Sequence, residues 1–303
     1  MKAASEKTAV EVGATAQVEE VPRFWTDLME LTKARLTGLV LITTFVGYML
    51  AARGQMSWGT LFHTLLGTAI VAVASSIFNQ ALERRPDRLM RRTAGRPLAA
   101  GRFSPGMSYF AGVMLTVLGT TYLWWTVSAP TAGMALLTLV IYVAFYTPLK
   151  QHSSTCTLVG AVAGALPPLV GWVAGGGKWE MMGWVLFAIL FFWQLPHFLA
   201  INWLYREDYE RAGFVMWSNG DESGVRTSRL ALIFTFCLIA VSFLPMQELK
   251  IWGTIFLIGV GVVMALMARR FQKNPTPATA RALFFYTLAY LPLALGILMV
   301  ARR

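Results

Sequence analysis

Charge is scarce in this chain. Asp, Glu, Lys and Arg together make up 14% of its 303 residues, against about 25% in a soluble globular domain. Hydrophobic residues reach 56%, which argues against a disordered chain and a water-soluble enzyme. Cysteine is nearly absent. Cys156 and Cys237 lie in apolar runs, are too few for a disulfide framework or a four-cysteine metal site, and read as packing residues. Glycine and proline follow no period, which excludes a fibrous protein. The N-terminus lacks the apolar core of a secretory signal and carries Glu6 and Glu11.

What is present is a set of charge-free stretches: 36–52, 59–82, 106–127, 131–147, 156–174, 182–203, 230–246, 251–268 and 282–300. Each has the length a membrane-crossing helix needs, about 17–25 residues. One such run reads equally as a buried soluble helix. Nine at once exceed what a soluble domain of this size can hide. The expectation is an all-α polytopic membrane protein with nine transmembrane helices.

Lys and Arg fall mostly on one side of this arrangement. The tail before residue 36 and the connections 83–105, 148–155, 204–229 and 269–281 carry 21 of the 26 basic residues. Arg53, Lys178, Lys250, Arg302 and Arg303 make up the other side. The positive-inside rule places the N-terminus and the richer connections in the cytoplasm, as in a bacterial inner membrane, and the C-terminus outside. Contact with anionic lipid accounts for much of the net charge of +11. Residues 1–22 read as a disordered cytoplasmic tail and 23–303 as a single membrane domain. Within the latter, 23–34 is expected to form an interfacial helix with Trp25, Leu28, Met29 and Leu31 mostly on one face. Most of the tryptophans near span ends read as interface anchors.

Acids are few and clustered. Of 15, six precede residue 31, and Glu180 and Glu248 lie in short outside loops. Glu83, Asp87, Glu207, Asp208, Glu210, Asp221 and Glu222 all fall in two cytoplasmic connections, after the second and sixth spans. In the first, Asn79, Glu83 and Asp87 are spaced by four. Each helical step of four turns the face by about 40° and rises about 6 Å, so the three oxygen-bearing side chains point one way. Pro86 is expected to interrupt the helix near Asp87. Oxygen donors at this spacing suit Mg2+, which takes one or two carboxylates plus substrate phosphates. Arg91, Arg92 and Arg96 follow, and guanidinium groups beside acids suit a metal-bridged diphosphate. Surface ion pairing at the membrane border is the plainer account of the same residues. In the second connection Asp208 sits among Tyr205, Arg206 and Tyr209, able to offer a carboxylate to a second metal ion. Between the two, the segment from Tyr146 ends at Lys150, a point charge for phosphate or an interface anchor.

These segments together carry a resemblance: Asn79 through Leu98, Tyr146 to Lys150, Gly160 through Trp172, and Pro196-His197-Phe198 through Gly213, with Thr32-Lys33-Ala34-Arg35 before the first span. The chain resembles the UbiA superfamily of intramembrane prenyltransferases over about residues 30–300, and is most similar to the members that farnesylate haem. The resemblance implies nine helices around a central cavity capped by the two acidic motifs. It also implies farnesyl diphosphate as donor, Mg2+ as metal, haem B as acceptor and haem O as product. An enzyme that forms haem A would be a downstream partner, and no nucleic acid is involved. Carried over by position, Asn79, Glu83, Asp87 and Asp208 are the catalytic and metal-binding residues. Arg35, Arg91, Arg92, Tyr146, Lys150 and Arg206 are the diphosphate contacts. His197, Tyr205 and Tyr209 are candidates for the haem or acceptor. Arg85, Pro86 and Cys156 depart from the residues usual in relatives, and leave the metal stoichiometry open.

The expected chemistry is ionisation of the allylic diphosphate, with metal and basic residues neutralising the leaving group. Gly160, Gly164 and Gly171 allow close helix packing or leave cavity space. Pro167-Pro168 should break the fifth span mid-membrane. His197, an intramembrane histidine, either ligates haem iron or bonds a neighbouring helix. Three other readings share parts of the pattern. A superfamily member acting on an aromatic quinone precursor would keep the same site. A polytopic transporter fits poorly, because no Asp, Glu, Lys or Arg lies inside the nine stretches. A haem-binding membrane protein without catalysis leaves the first acidic cluster unexplained.

Overall fold

The computed structural model describes residues 24–178 and 180–303, so the tail expected over 1–22 lies outside the described residues. The described chain is helical. Its one β-bridge, Leu249 to Arg302, is isolated. A short helix α1 (Phe24–Leu31) leads into α2 (Ala34–Ala52), α3 (Trp58–Leu89) and α4 (Pro105–Thr126). Next, α5 (Ala129–Val140) passes through a π-helical turn (Ile141–Tyr146) into α6 (Thr147–Leu149). Then come α7 (Cys156–Ala165), α8 (Pro167–Ala174), α9 (Met181–Leu204) and the short α10 (Arg206–Arg211). The chain ends with α11 (Val225–Ser242), α12 (Ile251–Lys273) and α13 (Pro277–Ala301).

Among the described residues, eight helical segments are long and apolar enough to cross a membrane. The remaining expected span, 106–127, forms α4. Its 22 residues carry no charge, but Thr, Tyr and Trp dilute its hydropathy. Its outer face is apolar all the same, with Met107, Phe110, Val117 and Trp125 exposed. The helix expected over 23–34 forms over Phe24–Leu31, and Leu31 is buried rather than sharing an exposed face. Its Trp25 and Met29 point outward, while Asp27 is buried against Arg102, with Nε to Oδ2 at 2.7 Å. That pair ties α1 to the connection after α3. Three tryptophans expected near interfaces belong to the core instead, Trp172, Trp193 and Trp203.

Helix α9 is the central post, packed by α7, α11 and α13. Pro167 splits the fifth span as expected, because a proline cannot donate the backbone hydrogen bond that would continue α7. Thr44 Oγ1 donates to the Pro167 carbonyl at 3.2 Å from inside α2. Here α2 and α8 touch backbone to backbone. A Cβ on Gly171 would lie 1.8 Å from the Thr44 carbonyl oxygen, and one on Gly47 1.9 Å from that of Pro168. Gly171 is therefore a close-packing glycine. The interruption expected at Pro86 does not occur, and α3 runs on to Leu89. The helix ends one turn later, so the single hydrogen bond that Pro86 removes interrupts no long ladder.

Candidate active site

The i, i+4, i+8 face forms as expected. Asn79, Glu83 and Asp87 are all buried on α3, and each meets a partner from another segment. Lys33 Nζ donates to Asn79 Oδ1 and, at 3.3 Å, to the Tyr142 hydroxyl. Asn79 Nδ2 donates to Thr147 Oγ1 at 3.1 Å. Lys150 Nζ reaches Glu83 Oε1 at 2.6 Å. Arg96 Nη1 spans both Asp87 oxygens, at 3.0 and 2.8 Å. A buried carboxylate needs such company, because an uncompensated charge there costs several kcal/mol, about 3–5 for a broken pair.

Burial works against the Lys150 ammonium, but the Glu83 carboxylate and its hydrogen bond outweigh it and hold the lysine pKa well above its ordinary range. At Arg96 burial again opposes the charge, and Asp87 reverses the balance upward.

The π-helical turn supplies the aromatic wall. The Thr147 amide donates to the Tyr142 carbonyl, five residues back. The widened turn sets the Tyr142 and Tyr146 rings 5.3 Å apart. Such turns recur at functional sites. Lys150 Nζ lies 4.4 Å from the Tyr146 ring centre. A Cβ on Gly160 would come within 2.6 Å of the Tyr146 ring, so this glycine makes room for it.

The second acidic motif lies beside the first. Helix α10 carries Asp208, whose Oδ1 accepts from Arg211 at 2.9 Å. The Arg92 guanidinium lies 5.8 Å from the Tyr205 ring centre and so links the two connections. The Val215 amide donates to the Lys150 carbonyl at 2.7 Å and ties the second connection to the end of α6. Arg206 turns back onto Trp203, 5.2 Å from its ring centre. Among the described residues no three His, Cys, Asp or Glu side chains converge as a closed metal cage. A magnesium ion that draws most of its ligands from water and phosphate needs only one or two protein carboxylates.

Two cavities meet behind this row. An apolar one of about 250 Å³ is lined by Leu36, Val40, Tyr142, Gly164, Pro167 and Phe198, among others. A more polar one of about 130 Å³ is lined by Lys150, Cys156, His197, Asn202, Tyr209 and Met216. Tyr146 and Phe198 line both. His197 lies on α9 with its ring between Trp193 (centroids 5.5 Å apart) and Phe284 (4.9 Å).

Of the expected site residues, Asn79, Glu83, Asp87, Tyr146 and Lys150 form one connected group, and His197 and Tyr209 face the adjoining cavity. Arg35, Arg91, Arg92 and Tyr205 are exposed. Lys33, two residues before Arg35, takes the inward position instead. Its left-handed backbone, φ 47°, separates α1 from α2 and is not legible in the sequence. Tyr142, Thr147 and Thr287 were missed. Thr287 bonds His197 from a helix ninety residues away.

A bundle of long apolar helices, a buried acid row near the end of α3 and an apolar cavity behind it are the features of an intramembrane prenyltransferase. The chain belongs to the UbiA prenyltransferase family, whose model matches residues 40–289. It is 42% identical to the protoheme IX farnesyltransferase of Opitutus terrae over 286 residues, 92% of this chain and 95% of that one. It is 38% identical to the protein of the same name from Solibacter usitatus, over 91% of this chain and 98% of the other. Two solved structures share the fold. One, from work on digeranylgeranylglyceryl phosphate synthase in membranes, aligns with TM-score 0.76 at 16% identity, covering 91% of this chain and 98% of its own. The other, a UbiA homologue from Archaeoglobus fulgidus bound to GPP and Mg2+, aligns with TM-score 0.68 at 13% identity, covering 90% and 100%.

Proposed function

We propose that this protein transfers the farnesyl group of farnesyl diphosphate to a vinyl group of haem B, giving haem O. The observation that carries this is the Asn79–Glu83–Asp87 face, with its lysine and arginine partners, beside two adjacent cavities that share Tyr146 and Phe198 in their walls. The relatives that match nine-tenths of the chain and bear the name protoheme IX farnesyltransferase support the acceptor.

In this reading Asn79, Glu83, Asp87 and Asp208 would hold Mg2+, which would supply charge neutralisation of the diphosphate. Lys33, Lys150 and Arg96 exchange their carboxylate or amide partners for diphosphate oxygens. Arg92 and Arg206 extend that positive surround. The apolar cavity holds the farnesyl chain and excludes water from the carbocation. The allylic C1–O bond breaks and its electron pair leaves with diphosphate. The vinyl group attacks C1. Water adds to the resulting cation and loses a proton, leaving a hydroxyethylfarnesyl substituent. The polar cavity beside His197 and Tyr209 takes the porphyrin. The same reading has nine spans over one unit, 23–303, in an inner membrane. The N-terminus and the acid row face the cytoplasm, where the product would pass to a haem A-forming enzyme.

Purified protein in detergent, given reduced haem B, farnesyl diphosphate and Mg2+ with an EDTA control, should yield haem O by liquid chromatography–mass spectrometry. Diphosphate release only with an aromatic acceptor would replace the haem. No diphosphate chemistry from folded protein with any acceptor would overturn the reading.

A further inference from the structure

The hydrogen bonds around Thr287 favour one tautomer of His197. Thr287 Oγ1 donates to the Phe284 carbonyl at 2.5 Å, one turn back on α13. A hydroxyl has one proton, and this one is committed. The 2.8 Å contact between Thr287 Oγ1 and His197 Nδ1 therefore runs the other way, with Nδ1–H donating and the hydroxyl oxygen accepting. Nδ1 carries the proton, so Nε2 of the neutral ring carries a lone pair.

Among the described residues nothing hydrogen-bonds Nε2, and it is not one of the buried unpartnered atoms, so it faces open space. The space beside His197 is the polar cavity. The Thr287 carbonyl accepts from Trp193 Nε1 at 2.6 Å, which pins one ring of the sandwich to the same residue. Several other side chains of that cavity are engaged. Lys150 is on Glu83. Met216 Sδ receives Asn202 Nδ2 at 3.7 Å and Cys156 Sγ at 3.9 Å.

Histidine ligands to metals characteristically donate their second N–H to an oxygen that orients the ring and raises its basicity. We infer that His197 Nε2 is the axial ligand of the acceptor haem iron, and that Thr287 is the positioning residue that holds its ring and tautomer. This rests on haem as acceptor, and it adds the iron ligand, the nitrogen and the residue that orients it. Ligation at one axial site would anchor the porphyrin beside Tyr146 and Phe198, where the farnesyl cavity opens.

The test is spectroscopic. Purified full-length protein in detergent is titrated with ferric and ferrous haem B, and the Soret and magnetic circular dichroism signatures of histidine ligation are followed. Wild type should show them and His197→Ala should lose them. His197→Gly should regain them with added imidazole. Thr287→Val, which keeps the shape and removes the hydroxyl, should weaken haem binding about 10- to 100-fold, as loss of an outer-sphere partner does. Thr287→Ser should keep the signature. Each variant is first checked for monodispersity. An unchanged histidine signature in His197→Ala, or its loss only in Met216→Leu, overturns the assignment. Haem O formation by wild type in the same preparation would show that the acceptor reading survives that failure. Absence of both haem binding and haem O would overturn the two together.

Discussion

Replacing Lys150 by Met should cost more than the Lys150–Glu83 pair itself contributes. The ammonium and carboxylate lie 2.6 Å apart with side chains 12% and 6% exposed. At an effective dielectric constant of about 20, two unit charges at that distance attract by roughly 6 kcal/mol. Desolvating each ion costs several kcal/mol, so the pair is close to neutral overall. Lys150→Met removes the attraction and leaves the Glu83 penalty, a loss of about 3–5 kcal/mol. Glu83→Gln should lose a similar amount by stranding the ammonium. The double variant buries no charge there and should recover to within about 2 kcal/mol of wild type. Unfolding in detergent micelles followed by tryptophan fluorescence gives the four stabilities of the cycle. Prenyl transfer should stay lost in the double variant, which separates stability from the site's chemistry. Destabilisations that simply add in the double variant would refute the coupling, and with it the claim that these two charges neutralise each other. Because the Lys150 pKa is raised, its contribution is full below the ordinary lysine range and is lost only as pH climbs through the higher folded value. The pair should therefore persist to about pH 10.

Asp87→Asn keeps the volume but removes the charge that Arg96 spans, and should lower prenyl transfer by about 100-fold or more; near-normal turnover in monodisperse protein would remove Asp87 from the site. Gly160→Val meets the Tyr146 ring, which a Cβ there would approach to 2.6 Å, and should cost about 1–3 kcal/mol of stability. A raised KM for the diphosphate should accompany it, and unchanged kinetics would show that Tyr146 does not shape that site. Asp221 is buried and accepts from the Thr227 amide at 2.8 Å and hydroxyl at 2.7 Å. Burial alone would raise its pKa, but these hydrogen bonds prevail and hold it below the usual carboxylate value. Its stabilisation is thus present above the ordinary aspartate range and fades as pH falls through the lowered value. Acid-unfolding curves of wild type and Asp221→Asn should converge at low pH and separate by about 1.5–3 kcal/mol at neutral pH. Parallel curves would contradict this.

Much of the architecture follows from local properties of the chain. A stretch of 17 or more uncharged residues must satisfy its backbone internally once in lipid, so it becomes a helix wherever it lies in the order. The stretch 156–174 coincides with α7 and α8, including the break at Pro167. The acid face was legible for the same reason, since positions 79, 83 and 87 share a side of any helix whatever surrounds it. Pro86 does not end α3 because the helix closes at Leu89, within one turn, and the sequence does not mark that distance. What the sequence could not reveal are contacts between helices. Lys33 rather than Arg35 turns inward because of one left-handed residue between α1 and α2. Tyr142 and Tyr146 come together through a π-helical turn whose composition looks like ordinary span. The tautomer of His197 depends on Thr287, a residue of no local distinction on α13. Hydropathy and helical period act along the chain, whereas these pairings depend on which faces meet when the bundle packs, and only the assembled tertiary structure decides that.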